Sequence, residues 1–246
     1  MSKRPKIPKL GPRLLFVGDP HSDFSYAIRV AQRYEPQALI LLGDLQARRP
    51  LEVELASILD LTQVWFIHGN HDTDSEADHD NLWGTALADR NLHARVVEIA
   101  GFRVAGLGGV FRESIWAPPL EPYYQSAKDR LKVVPERERW RGGLGLKHRS
   151  TIFPEDLAVL ARQKADVLVT HEAFGGHRYG WPSLNGLAKT MGVQVAVHGH
   201  LHQDIDYAAE GRLPAGSTFW AYGVAPDSFL TWPRGAGEFD LAEGGQ

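Results

Sequence analysis

The chain has 246 residues, 43% of them hydrophobic, a formal net charge of -3 and no cysteine. That length and apolar content can supply one sizeable core in a single domain, while the lack of cysteine excludes a disulfide framework and thiolate chemistry. The mildly acidic balance argues against a dedicated nucleic-acid coat, whose footprint is normally a basic domain.

Residues 1–12 read as a basic tail without the apolar centre of a signal peptide, and no stretch approaches a membrane span, so a cytoplasmic location is expected. From residue 13 onward the pattern predicts strand 13–17, helix 23–34, strand 37–42, helix 50–61 and strand 63–67, a parallel βαβ half. Strands at 94–99 and 102–107 then follow each other directly, joined by Ala100-Gly101, a two-residue turn that fits a hairpin. Residues 111–149 have the least periodicity. After Phe153-Pro154 come a helix to about Lys164, a strand from Val167 to Val169, a helix near 184–191 and a strand at 193–197. Residues 205–230 read as antiparallel strands, and no repeat or low-complexity segment is present.

Five of these apolar runs lead straight into oxygen and imidazole donors: Asp19-Pro20-His21, Gly43-Asp44, Gly69-Asn70-His71-Asp72, Thr170-His171-Glu172 and Gly199-His200-Leu201-His202. The donors thus sit at the carboxyl ends of strands, where open α/β sheets place their binding crevice. Taken alone, an Asp-x-His reads as a cap or a backbone contact, and Gly43-Asp44 as a turn capping the helix near Pro50. Two histidines at i and i+2 in an irregular loop are more pointed, because they can address two adjacent ions. Imidazole, carboxylate and one amide oxygen suit Mn(II), Fe or Zn(II) and fit poorly with an all-oxygen Ca or Mg cage, with manganese or iron favoured.

The ordered set Asp-x-His, Gly-Asp, Gly-Asn-His-Asp, a lone His and Gly-His-x-His resembles the calcineurin-like metallophosphoesterase superfamily, from Leu14 to about Tyr222. The resemblance implies a four-layer α/β/β/α sandwich of two mixed sheets with outer helices, here as one domain over 13–246. It implies two divalent ions: Asp19, His21 and His202 on one, Asn70, His171 and His200 on the other, and Asp44 bridging. His71 matches the family's non-ligand histidine, which protonates the leaving oxygen or stabilises the transition state. Such a pair of ions, about 3.5–4 Å apart, activates a shared water and clamps the attacking and leaving oxygens of an in-line displacement.

One departure concerns the second block. Where the protein Ser/Thr phosphatase branch has Gly-Asp-x-x-Asp-Arg-Gly, this chain reads Gly43-Asp44-Leu45-Gln46-Ala47-Arg48-Arg49. Ala47 replaces the carboxylate that orients the catalytic histidine there, so Asp72 or Asp74 must supply it or it is absent. Arg48 falls where that branch keeps a phosphate-contacting arginine, and it reads equally as a solvated loop charge. His177 either lines the substrate pocket or lies on a plain surface loop, while His68 and His198, inside apolar strands, read as satisfied core histidines. Between residues 128 and 149 eight Lys or Arg face three Asp or Glu, with Trp116, Tyr123, Tyr124 and Trp140 on the same 111–149 segment. It reads as a cap over the metals, with Arg139 and Arg141 as candidate phosphate contacts, or as a solvated excursion whose rings pack down.

The expected activity is hydrolysis of a small phosphodiester or phosphomonoester, a nucleotide favoured. The alternatives are a DNA or RNA nuclease using the same centre and a non-catalytic scaffold of the same fold, although no ligand of the set is missing.

Overall fold

The computed structural model describes residues 12–233, so the basic tail expected at the amino terminus lies, apart from Pro12, outside the described residues. The first half alternates β1 (Leu14–Val17), α1 (Ser25–Tyr34), β2 (Ala38–Leu41), α2 (Leu51–Glu54), β3 (Gln63–Phe66) and α3 (Glu76–Trp83). The hairpin β4 (Arg95–Ile99) and β5 (Phe102–Leu107) follows, then α4 (Ala127–Val133), α5 (Pro154–Ala161), β6 (Val167–Thr170) and α6 (Pro182–Met191). Four strands complete the chain: β7 (Val195–His198), β8 (Ile205–Asp206), β9 (Trp220–Gly223) and β10 (Phe229–Trp232). Among the described residues no helix is long and apolar enough to cross a membrane.

The strands form two mixed sheets, ordered β10-β1-β2-β3 and β4-β5-β6-β7-β9-β8. β1, β2 and β3 are parallel, as are β5, β6, β7 and β9, whereas β10, β4 and β8 run antiparallel to their neighbours. Strand alternation divides the side chains between layers. Leu14, Phe16, Ile40 and Ile67 point inward and share one cluster with Val104, Val167, Val169, Val195 and Val197, which fills the space between the sheets. Leu15, Val17, Leu39, Leu41 and Phe66 point outward onto Ala27, Val30 and Ala31 of α1, Leu51 of α2 and Leu82 of α3. On the other side Ala105, Leu107, Leu168 and Ala196 meet Leu160 of α5 and Leu184, Leu187, Ala188 and Met191 of α6. Each such Leu or Ile contributes about 1.5–3 kcal/mol by leaving water. The result is the expected four-layer α/β/β/α sandwich with helices outside both sheets.

Two local expectations need correction. The helix expected over 50–61 ends at Glu54, and successive turns such as Ile58 N to Leu55 O (3.0 Å) and Leu61 N to Ile58 O (2.9 Å) still bury Leu55 and Ile58. The carboxyl-terminal strands are not all antiparallel: β9 lies parallel to β7, and β10 crosses to the first sheet beside β1. The segment 111–149 has a small core of its own, in which Ile115, Val134, Leu144 and Phe153 pack with Leu131 and Tyr124 around α4.

Candidate metal centre

The loops after β1, β2 and β7 turn sharply where their donors stand. His21, Asp44, His200 and His202 have φ of 42°, 48°, 66° and 53°, the left-handed region that non-glycine residues seldom occupy. The motif glycines have a steric reason. A Cβ on Gly43, itself at φ 102°, would strike His171 Nδ1, and one on Gly69 would strike the Asp44 carboxylate.

The donors converge in two sets. On one side His21 Nε2 lies 3.0 Å from His202 Nε2, which is 4.0 Å from Asp19 Oδ2. On the other, His171 Nε2 lies 3.2 Å from Asn70 Oδ1, and ligand atoms of Asp44, His171 and His200 all fall within 4.8 Å of one another. Asp44 Oδ2 faces both sets, 4.0 Å from His21 Nε2 and 3.4 Å from His171 Nε2. Asp19, Asp44 and His171 are buried and His202 is exposed, so the cleft has a dry floor and an open rim.

Both carboxylates are held by backbone. The His200 amide donates to Asp19 Oδ2 at 2.9 Å, and the His71 amide donates to Asp44 Oδ1 at 2.8 Å. Two imidazoles are oriented from behind as metal-ligating histidines usually are: His21 Nδ1 meets Gln46 Oε1 at 2.7 Å and His171 Nδ1 meets the Leu42 carbonyl at 2.8 Å. These partners are acceptors, so Nδ1 carries the proton and Nε2 is left facing other acceptors. Acceptor atoms gathered at such distances are stabilised by a shared proton or by a cation between them, and the imidazole, carboxylate and amide donors fit divalent metal ions.

The electrostatics agree. Burial opposes charge on His171, yet Asp44 and Asp19 overcome it and push its pKa up to about 10, so in the ion-free protein a proton takes the cation's part. Burial raises Asp19, whereas Asp44, against its own burial, is lowered mainly by His171. His200 is drawn down to about 4 by burial and by the neighbouring His171 charge, which leaves it neutral and able to ligate.

His71 lies beside the donors, its ring 5.8 Å from that of His21, and its Nδ1 is 2.6 Å from Asp74 Oδ2. Of the candidates the sequence left open, Asp72, Asp74 or neither, Asp74 is the one that bonds His71. Burial works against protonation of His71, but the Asp74 bond and the Asp44 charge raise its pKa overall. Asp72 is fully buried and accepts the Gln46 amide at 2.7 Å and the Gly69 amide at 2.8 Å, tying together the two loops that carry Asp44 and Asn70. Burial and the Asp44 charge push its pKa up to about 7.

The candidate substrate contacts fare unevenly. Arg139 donates to the carbonyls of Val134 and Leu131 at 3.1 Å each and so closes the end of α4. Arg141 pairs with Asp80 on α3 at 2.6 Å and 2.8 Å and stacks on Trp140. Both guanidiniums hold the 111–149 segment together or against α3 rather than standing free for phosphate. Arg48 is exposed with Asp23 and Glu54 as charged neighbours. His177 Nδ1 accepts the Tyr179 amide at 3.3 Å and shapes its loop, whereas its neighbours Arg178, Tyr179 and Trp181 line a cavity next to His200. His68 and His198 pack as core residues, the latter 2.9 Å from the Tyr207 hydroxyl. Gln46, two residues beyond Asp44, escaped the sequence reading because an exposed-looking glutamine in a turn carries no periodic signal.

Residues 12–204 match the calcineurin-like phosphoesterase family. An uncharacterized protein of Haemophilus influenzae is 45% identical over 195 residues, covering 79% of this chain and 85% of its own length. A solved crystal structure shares the fold at 15% identity, with a TM-score of 0.54 over 89% of this chain and 95% of its own. A dimetal phosphatase from Danio rerio is more distant, at 14% identity and a TM-score of 0.46 over 88% of each chain. With the family match spanning most of its length, the chain belongs to the calcineurin-like phosphoesterases, hydrolases of phosphoester bonds that work through a binuclear divalent-metal centre.

Proposed function

We propose that the chain hydrolyses a small phosphomonoester or phosphodiester, a nucleotide favoured, with manganese or iron in the two sites and zinc compatible with the same donors. The observation that carries this reading is the placement of Asp44 Oδ2 between the two donor sets, within 4.0 Å of His21 and 3.4 Å of His171. In this reading Asp19, His21 and His202 hold one ion, Asn70, His171 and His200 the other, and Asp44 both. The bound ions supply a water of lowered pKa and neutralise phosphoryl charge.

The remaining chemistry is that of the chain's own side chains. Backbone amides keep Asp19 and Asp44 from rotating out of line, which preorganises the site. His71, with Nδ1 tied to Asp74, has Nε2–H available to protonate the departing oxygen. Its raised pKa keeps that proton in place to higher pH than in free imidazole, and the proton is lost as pH rises through the raised value. His71→Ala is therefore expected to retain both ions and slow turnover by about 10²–10⁴-fold for esters with poor leaving groups, with much less effect on p-nitrophenyl esters. An equal loss for both would remove the acid role.

The direct test is a hydrolysis panel with Mn, Fe and Zn varied, run on p-nitrophenyl and bis-p-nitrophenyl phosphate, nucleotides, dinucleoside polyphosphates, cyclic nucleotides and DNA. Turnover of a small phosphoester by protein carrying two ions is expected. Two bound ions without hydrolysis of any member would instead indicate a scaffold, and DNA cleavage with steep salt dependence a nuclease.

A further inference from the structure

One cavity shares only His200 with the donor cluster. It measures about 520 Å³, includes His200 in its wall, and is otherwise built largely by Glu172, Arg178, Tyr179, Trp181 and Leu201. Small-molecule sites usually fall between about 300 and 1,000 Å³, so the space exceeds what a phosphoryl group needs.

Its wall is fixed by hydrogen bonds. Trp181 N donates to Ala173 O at 2.9 Å, Gly175 N to Trp181 O at 3.2 Å and Gly180 N to His177 O at 2.9 Å. The Asn185 side chain closes the same loop, its Oδ1 accepting the Gly175 amide at 2.7 Å. On this frame Tyr179 is 59% exposed, with the Arg178 guanidinium 4.3 Å from its ring centroid. Arg178 lies over the ring, and the apolar surface that stays exposed gains by leaving water when a flat group covers it. Glu172 at the floor is buried and accepts the Phe111 amide at 3.0 Å, so the exposed groups of the wall are the Tyr179 ring and the Arg178 guanidinium.

We propose that this cavity is the subsite for the organic arm of the phosphoester and that it takes arms bearing a flat aromatic ring, stacked on Tyr179 beside Arg178, with a nucleoside as the natural instance. The assignment rests on the phosphoesterase reading, because the phosphoryl group at His200 anchors the arm. Stacking on a ring face tolerates every base, so purine and pyrimidine arms are both accepted, whereas an aliphatic arm such as glycerol gains nothing from Tyr179.

The test uses the full metal-loaded chain with phenyl and glyceryl esters of whichever class, mono- or diester, the panel shows to be cleaved. The preference for the phenyl ester, as a ratio of kcat/KM values, is expected to fall roughly tenfold in Tyr179→Ala, about 1.4 kcal/mol, mostly through KM, and to survive in Tyr179→Phe. An unchanged ratio in Tyr179→Ala overturns the proposal. A nuclear magnetic resonance titration with adenosine needs no turnover: shifts of the Tyr179 ring and Trp181 indole signals, absent with glycerol, are expected. Hydrolysis without those shifts sinks the subsite alone, and the shifts in a chain that cleaves no ester support an aromatic site while removing the catalytic reading.

Discussion

Asp44→Asn is expected to lower turnover by at least ~10³-fold and to bring the metal content from two ions per chain towards none. Asparagine keeps the shape of the side chain and the Oδ1 acceptor for the His71 amide, 2.8 Å away, so the loop retains its course. What disappears is the negative oxygen that faces His21 and His171 together. Without it each half of the cluster keeps three neutral or singly charged donors, and nothing draws the two cations to one place. His171 also loses the first of the carboxylates that push its pKa up to about 10, so its proton is released at lower pH in the ion-free variant. Elemental analysis gives the metal count and circular dichroism shows that folding is intact. Wild-type turnover in this variant would remove the bridging role.

Asp72→Ala is expected to be the most damaging change outside the donor set. The carboxyl is fully buried and satisfies two amides from different loops, Gln46 and Gly69. Deleting it orphans both donors at about 1–3 kcal/mol each, which corresponds to a fall in melting temperature of roughly 4–24 °C for a domain of this size. The loops carrying Asp44 and Asn70 lose their tie, so kcat falls even at saturating metal. A pH signature accompanies this. The unfolded carboxyl ionises near its free value of 3.8, and the folded one is pushed up to about 7. Its contribution is therefore fully present below the unfolded value and lost as pH rises through the folded value. Denaturant titrations of the metal-free protein between pH 4 and 8 should show that decline, flattened in Asp72→Ala. An unchanged melting temperature would show that the two amides find other partners.

The strands were legible because β1, β2, β6 and β7 are buried on both faces and hence nearly all apolar. The donors were legible for a related reason, since each follows directly on such a run. α3 was not, because only Leu82 of its eight residues is buried and no apolar stripe forms; Ser75, whose side chain accepts the Asp78 amide, was the available signal. α4 begins the same way, at Ser126 and Asp129. The parallel pairing of β9 with β7 and the crossing of β10 depend on contacts remote in sequence, which local periodicity does not encode. Arg139 and Arg141 mark the limit of composition: a run of positive charge reveals its sign, whereas the helix end and the acidic face of α3 that absorb it exist only once the chain has folded.

The left-handed turns at His21, Asp44, His200 and His202 set function against durability. Glycine is the residue such a backbone would select, and a side chain with a Cβ costs about 1 kcal/mol more there. Replacing the exposed His202 by glycine should make the ion-free chain harder to melt while ending catalysis, so the same turn that aims a donor also lowers the melting point.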